Sequence, residues 1–263
     1  MKDKVYYDKN KVIKIIYLGL ILVLFISCSK NDVDENLPTY KAGVVLTLDD
    51  DYVDEWTTAN EILKDYSWKA TFCVSKINLL SGEKISKIKD LENYGHEIAG
   101  HGLNHINAVQ FSDLNGVEAY FNQEISPMMS IMSANSFHVK TFAYPYGSRN
   151  SATDTKLLTQ FNVLRGTTYG AYSPENQHCF YNNSNVVYGL GIDSSYSHFS
   201  ISYFIQLLEY AKVKHKILIL YAHKPVQTAN ASYQTEMNTL IQICNFVKQN
   251  NMKFYKLSEL YNL

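Results

Sequence analysis

The stretch Val44-Val45-Leu46-Thr47-Leu48-Asp49-Asp50-Asp51 constrains this chain more than any other. A short apolar, β-branched run reads as a buried strand, and this one ends abruptly in three carboxylates. Adjacent like charges at the end of a buried strand repel one another, which makes ionising them all costly. A positive group belongs beside them, and a metal ion is the simplest candidate. The rest of the chain can be searched for the partners of that ion.

Strand-like and helix-like patterns alternate from there on. Strands are expected at 44–48, 70–74, 97–100, 141–143, 162–165, 186–188, 217–221 and 253–255. Helices are expected at 57–65, 81–94, 150–161, 199–213 and 232–249, with a longer one capped by Asp113 and running to about Met132. Between residues 166 and 198 the pattern gives way to Asn, Ser, Tyr and Gly, which suggests long loops around one short strand. The 263 residues are 46% hydrophobic and 19% charged, which suits one globular domain with a sizeable core. Alternation of this length argues for a parallel sheet. Seven or so units point to an α/β fold of the distorted (β/α)7-barrel type, a single catalytic domain, with an open doubly wound sheet as the alternative. No glycine-rich dinucleotide fingerprint or phosphate loop follows the first strand.

The first residues read as an address. Lys2, Lys4, Lys11 and Lys14 precede an apolar stretch at 15–26 that is too short for an ordinary transmembrane helix, and Ser27-Cys28 follows. This resembles a bacterial lipoprotein signal, so 1–28 is expected to be a signal peptide ending at the lipid-attachment residue Cys28. An uncleaved anchor is the alternative. In both cases the body is exported and tethered to a membrane of the bacterial cell envelope. Residues 29–40 are polar and acidic and read as a flexible tether, leaving 41–263 as the domain. Beyond Cys28 there are three cysteines, Cys73, Cys179 and Cys244, so a fully paired disulfide framework is excluded. Cys73 and Cys244 read as core thiols, and a bridge from Cys179 stays open. A net charge of -1 argues against nucleic acid as a partner, and a monomer is expected. The 21 tyrosines could line a sugar-binding groove or could simply pack in core and surface.

In a β/α barrel, functional groups collect on one rim, where strands end and loops begin. The first strand delivers Asp49 and Asp50 there. The 97–100 strand delivers His101, with His105 four residues on; two histidines at that spacing either share a metal or are two satisfied surface groups. The 141–143 strand delivers Tyr144-Pro145-Tyr146-Gly147, and the 217–221 strand delivers Ala222-His223. One aspartate and two histidines would leave open positions for water and substrate, the mark of a catalytic metal site. Asp50 would be the oxygen ligand. Asp49 would then point elsewhere and be free to act as a base. His96, His138, His178, His198 and His215 read as structural or surface groups. Trp56 and Trp68 read as packing residues, although Trp56, like Asp54, could border the groove.

In these residues the chain resembles the polysaccharide deacetylases, the NodB-homology domains of carbohydrate esterase family 4. The family's Thr-Phe-Asp-Asp-Gly appears as Thr47-Leu48-Asp49-Asp50-Asp51, and its His-Ser/Thr-x-x-His as His101-Gly102-Leu103-Asn104-His105. Its Arg-x-Pro-Tyr/Phe-Gly appears as Ala143-Tyr144-Pro145-Tyr146-Gly147, and its apolar strand into a catalytic histidine as Ile217 to His223. The resemblance implies a divalent ion, zinc being the expected one, held by Asp50, His101 and His105. It implies Asp49 as proton acceptor, His223 as proton donor, the backbone N–H of Tyr146 as a donor to the developing oxyanion, and an acetylated glycan as substrate. Three positions depart from the family pattern. Asp51 stands for glycine, Gly102 for the hydroxyl residue between the ligands, and Ala143 for the arginine that steadies the catalytic aspartate. Arg165, on the next strand, is either the replacement for that arginine or an ordinary surface residue. Asp193 is the nearest counterpart of the family's remaining aspartate. Removal of N-acetyl groups is the leading expectation. An O-acetyl esterase, a hydrolase of another bond and a non-catalytic glycan-binding lipoprotein are the alternatives.

Overall fold

The computed structural model describes residues 40–263. The signal segment, Cys28 and the tether up to residue 39 lie outside the described residues. The first strand, β1 (Gly43–Asp50), is buried at every position but the last. Alternation explains how a strand can be apolar on both faces. Val44, Leu46 and Leu48 join the outer core under the helices, while Val45 packs into a separate inner cluster with Val163, Val187, Ile217 and Ile219. That inner cluster is the filled interior of a barrel.

Six further strands complete the wall: β2 (Thr71–Val74), β3 (Glu97–Gly100), β4 (Thr141–Ala143), β5 (Val163–Thr168), β6 (Val186–Gly191) and β7 (Ile217–Ala222). All neighbours pair in parallel, in chain order, and β7 returns to pair with β1 from Gly43 to Leu48. The sheet is therefore closed, as the (β/α)7 reading required, and the open alternative is excluded. The closure is uneven, since β3 and β4 share a single register pair, Gly100 with Phe142. A two-stranded parallel ribbon follows, β8 (Lys224–Val226) with β9 (Gln234–Glu236). The last strand, β10 (Lys253–Tyr255), pairs with the first residues of β1, whereas β2 pairs with its last four. The strand β10 is thus wedged between β1 and β2 at the end of the barrel opposite the carboxylates. There the buried Glu97 accepts hydrogen bonds from Thr71 Oγ1 (2.9 Å), Thr141 Oγ1 (2.7 Å) and the Ser258 N–H (2.9 Å), which fastens the C-terminal turn across the floor. Burial pushes the Glu97 carboxyl up, and these bonds offset part of that.

The helices are α1 (Val53–Leu63), α2 (Gly82–Asn93), α3 (Ala108–Asn115), α4 (Val117–Tyr120), α5 (Ser126–Ala134), α6 (Ser151–Leu157), α7 (Ile201–Val213) and α8 (Met237–Gln249). Four differ from the sequence expectation, among them α6, which stops at Leu157, four residues short of 161. Helix α1 starts four residues early, with Asp54 and Glu55 in its first turn, where acidic groups favour a helix N-terminus. The long helix capped by Asp113 is instead broken at Gly116, whose φ of 86° no helix accommodates, and Asn107 caps the first piece by accepting from the Gln110 N–H. A π-helical turn, Phe121–Ile125, then separates α4 from α5. The helix expected from residue 232 begins only at Met237, because Gln234–Glu236 is drawn into the ribbon with β8. Cys73, Cys179 and Cys244 are all buried free thiols, so no bridge forms from Cys179. Among the described residues no helix is long and apolar enough to cross a membrane.

Candidate active site

The barrel mouth gathers the residues that follow β1, β3, β4 and β7. On a regular strand, successive side chains face opposite ways, and Asp49 was expected to diverge from the ligands of Asp50. Asp50 instead has a φ of 86°, in the left-handed region that a residue with a Cβ rarely occupies. That twist brings both carboxylates to the same imidazole. His101 Nε2 lies 3.6 Å from Asp50 Oδ1 and 4.0 Å from Asp49 Oδ2, and His105 Nε2 lies 3.1 Å from Asp50 Oδ1. The His101 ring is oriented from behind, where Nδ1 donates to the Ala143 carbonyl at 2.8 Å and so leaves Nε2 for the mouth. His105 also has a left-handed backbone, with φ 59°.

This set fits a divalent ion. The donor atoms of Asp50, His101 and His105 all lie within 4.8 Å of one another. Donors ~2.1 Å from a tetrahedral ion stand ~3.4 Å apart, and the two distances to Asp50 bracket that value. Burial alone would raise the Asp50 carboxyl, but the His101 and His105 imidazoles beside it hold it well below the ordinary carboxylate range. A ligand must be ionised, and this one is.

Asp49 is the deeper carboxylate, 2% exposed. Arg165 is wholly buried and donates from Nη2 to Asp49 Oδ2, so it is no surface arginine. Its guanidinium lies 5.0 Å from the centre of the Tyr221 ring. Small neighbours make the space. A Cβ on Gly189 would lie 3.3 Å from Arg165 Cδ, and Cys73, Ala99 and Ala143 form a layer of small side chains in the interior. In register, Arg165 stands directly beside Ala143. The positive charge absent from β4 is therefore supplied one strand over. Burial would raise the Asp49 carboxyl, yet Arg165, then His101 and His223, hold it below its usual range. Asp49 Oδ1 is buried without a hydrogen-bond partner, as are Arg165 Nε and Nη1.

His223, after β7, is fixed on three sides. Its Nδ1 lies 2.5 Å from Asp193 Oδ2, its N–H donates to Asp193 Oδ1 at 3.2 Å, and its carbonyl accepts from Trp56 Nε1 at 3.0 Å. Asp193, two residues past β6, is held in turn by the Thr235 hydroxyl from β9. Burial would lower the His223 imidazole, but the bond to Asp193 raises it above its ordinary value. Trp56 thus anchors a backbone and does not border the groove. Sequence reasoning missed Thr235, having assigned it to a helix.

Asp49, Asp50, His101, His105, Arg165 and His223 open on one cavity of about 470 Å³. Its wall carries Tyr52, Tyr144, Tyr146, Tyr169, Tyr196, Tyr221 and Tyr233, so part of the surplus tyrosine does line a groove. Tyr146 packs its ring against His105, with centroids 4.7 Å apart, and has a φ of 60°. The next residue must be glycine, since a Cβ on Gly147 would meet Thr167 Oγ1 at 2.0 Å. Asp54 turns away from the cavity to pair with Lys87 at 2.8 Å. His96 is a buried structural group, pushed down to about 3 by burial, and His198 donates to the Gly191 carbonyl.

Residues 36–163 match the profile of a family described as polysaccharide deacetylase. Just under half of the chain, residues 36–163, thus carries the pattern of the polysaccharide deacetylase family. The matched span holds Asp49, Asp50, His101, His105 and Tyr146, while Arg165, Asp193 and His223 lie beyond it. No curated protein matches the chain. Among solved structures, the chain is similar to the chitin deacetylase of the fungal pathogen Colletotrichum lindemuthianum: 16% identity, 84% of this chain and 88% of that one, TM-score 0.58. It is also similar to the catalytic domain of a peptidoglycan N-acetylglucosamine deacetylase from Eubacterium rectale: 18% identity, 85% and 92%, TM-score 0.52. A third similar structure is a mutant of a family 4 carbohydrate esterase pseudoenzyme with restored activity: 18% identity, 84% and 68%, TM-score 0.54. At these identities the likeness shows the shared barrel.

The His223–Asp193 contact makes a direct prediction. Titrated by NMR in the full chain, the His223 imidazole is expected to lose its proton above the ordinary histidine pKa of ~6.5. Asp193→Asn removes the charge that opposes burial, and the value should fall. An unchanged value would show that Asp193 does not govern this proton.

Proposed function

We infer that the protein is a metal-dependent hydrolase that removes acetyl groups from an acetylated polysaccharide or oligosaccharide. The observation that carries the reading is the donor set of Asp50, His101 and His105, with a buried carboxylate against one ligand and an aspartate-backed histidine on the same cavity. The ion is zinc by preference, since an oxygen and two imidazole nitrogens suit it. When bound, it supplies Lewis-acid activation of water and of the acetyl carbonyl.

The chain's own residues handle the protons. Asp49 is kept ionised by Arg165, and its carboxylate accepts a proton from the attacking water. His223 has Nδ1 occupied by Asp193, so Nε2 is the nitrogen that delivers a proton to the departing amine. Water is thereby added across the acetyl C–N bond, giving acetate and a free amine. The backbone N–H of Tyr146 assists the oxyanion, and the tyrosine wall receives the sugar rings. One buried carboxylate held low and one imidazole held high are the separated pair that acid–base catalysis at neutral pH requires. A protein that only bound glycan would have no use for either, which favours the catalytic reading over the non-catalytic one. An N-acetyl group is the leading substrate in this reading, with an O-acetyl ester as the alternative. Residues 1–28 support an exported protein held at the bacterial cell envelope through lipid on Cys28.

Two tests follow. Incubated with acetylated chito-oligosaccharides, the protein is expected to release acetate, to lose this activity to a chelator and to regain it with zinc. Asp49→Ala should lower turnover by about 10²–10⁴-fold. No acetate from any acetylated glycan under zinc loading would defeat the proposal. Arg165→Ala leaves Asp49 buried without its main cation, so the carboxyl rises. The acidic limb of the pH–rate profile, where the base becomes protonated, should then move to higher pH. Adding Ala143→Arg should restore part of the shift, whereas an unmoved limb in Arg165→Ala would remove Arg165 from the mechanism.

A further inference from the structure

One buried acid takes no part in the chemistry above. Glu124 lies in the π-helical turn Phe121–Ile125 and is completely buried. Turns of this kind interrupt helices mostly where a side chain must be placed for function. A buried carboxylate is costly unless it is paired or fully hydrogen-bonded. Among the described residues no lysine, arginine or histidine nitrogen lies within 4.0 Å of it. All its bonds go instead to one loop. Oε1 accepts from the Asn104 N–H at 2.8 Å and from the Ile106 N–H at 3.1 Å, and Oε2 accepts from Asn104 Nδ2 at 3.0 Å.

Asn104 and Ile106 flank His105 on either side. A single carboxylate oxygen therefore grips the backbone N–H of the residue before and of the residue after His105, whose own φ is 59°. That backbone is strained for a residue with a Cβ and persists only when its surroundings over-determine it. The same oxygen occupies the space of a missing side chain, because a Cβ on Gly102 (φ 83°) would lie 2.7 Å from Glu124 Oε1. Glycine at 102 and glutamate at 124 are thus two halves of one arrangement.

We propose that Glu124 is a positioning residue for the metal centre: its carboxylate clamps the 104–106 loop in the left-handed turn that points His105 at Asp50 and His101. The inference rests on the reading of those three residues as metal ligands. Without the clamp the turn relaxes and one of three protein ligands withdraws. Outer partners of metal ligands are commonly worth 10–100-fold in affinity.

The test is zinc affinity of the purified full chain, measured by competition with a chromogenic chelator, with the cobalt(II) absorption spectrum as a report on ligand geometry. Glu124→Ala is expected to weaken zinc binding by about 10–100-fold and to alter the cobalt spectrum. Glu97→Ala is the control, since Glu97 is also buried with three donors but sits at the far end of the barrel. It should lower the melting temperature and leave zinc affinity within about twofold. If Glu124→Ala does not fold, Glu124→Asp decides. It keeps the charge but withdraws the carboxylate by one methylene, and a loss of about fivefold or more is expected. Unchanged zinc affinity in the folded variant overturns the proposal, as does an equal loss in Glu97→Ala. Should the wild-type chain bind no zinc, the metal reading falls and this inference with it. If the wild type binds zinc and Asp50→Asn abolishes it while the Glu124 variants do not weaken it, only this inference falls.

Discussion

Two ionised carboxylates, side by side at the end of one buried strand, are the constraint that the rest of the barrel mouth answers. Asp49 and Asp50 repel each other in a setting where water screens little. Each is compensated differently. Asp49 receives a permanent cation, Arg165, from the opposite wall of the barrel. Asp50 receives two imidazoles, which carry positive charge only when protonated but bind a divalent ion when neutral. The division of labour follows from that difference. A carboxylate locked to an arginine stays available as a proton acceptor. A carboxylate facing two imidazoles is placed to serve as a ligand.

Backbone strain is concentrated at the same place. Asp50, His105 and Tyr146 all have φ between 59° and 86°, and none is glycine. Each such residue costs of the order of 1–3 kcal/mol and must be held by its surroundings. The holders are identifiable: Glu124 around His105, and the tight contact of Gly147 with Thr167 beside Tyr146. Precision at the mouth is thus maintained by the loops that leave the strands, one pinned by Glu124 of the π-helical turn and the other packed on Thr167 of β5.

Much of this was legible in the sequence. The apolar run into Asp49 and Asp50, the His101/His105 spacing and the β/α alternation sufficed for the closed barrel and its rim, because each depends on local periodicity. Strands at 97–100, 141–143 and 253–255 were bounded correctly for the same reason. Arg165 was harder. Whether it faced in or out depended on the register of β5, which runs three residues further than its apolar signal. Thr235 escaped because three ribbon residues lead directly into a strong helical pattern, and the longer pattern dominated. Glu124 escaped for a deeper reason. A glutamate in a helical stretch reads as solvated, and only the tertiary packing of the 102–106 loop against it reveals that it is buried.

The proposed function has one decisive consequence: a dication is expected between Asp50, His101 and His105, and nowhere else in the cavity. Crystals soaked in a zinc salt and measured on either side of the zinc absorption edge would locate it. The account requires one strong anomalous peak bounded by Asp50 Oδ1, His101 Nε2 and His105 Nε2. No peak at that position, or a peak on the His223–Asp193 pair instead, would contradict it.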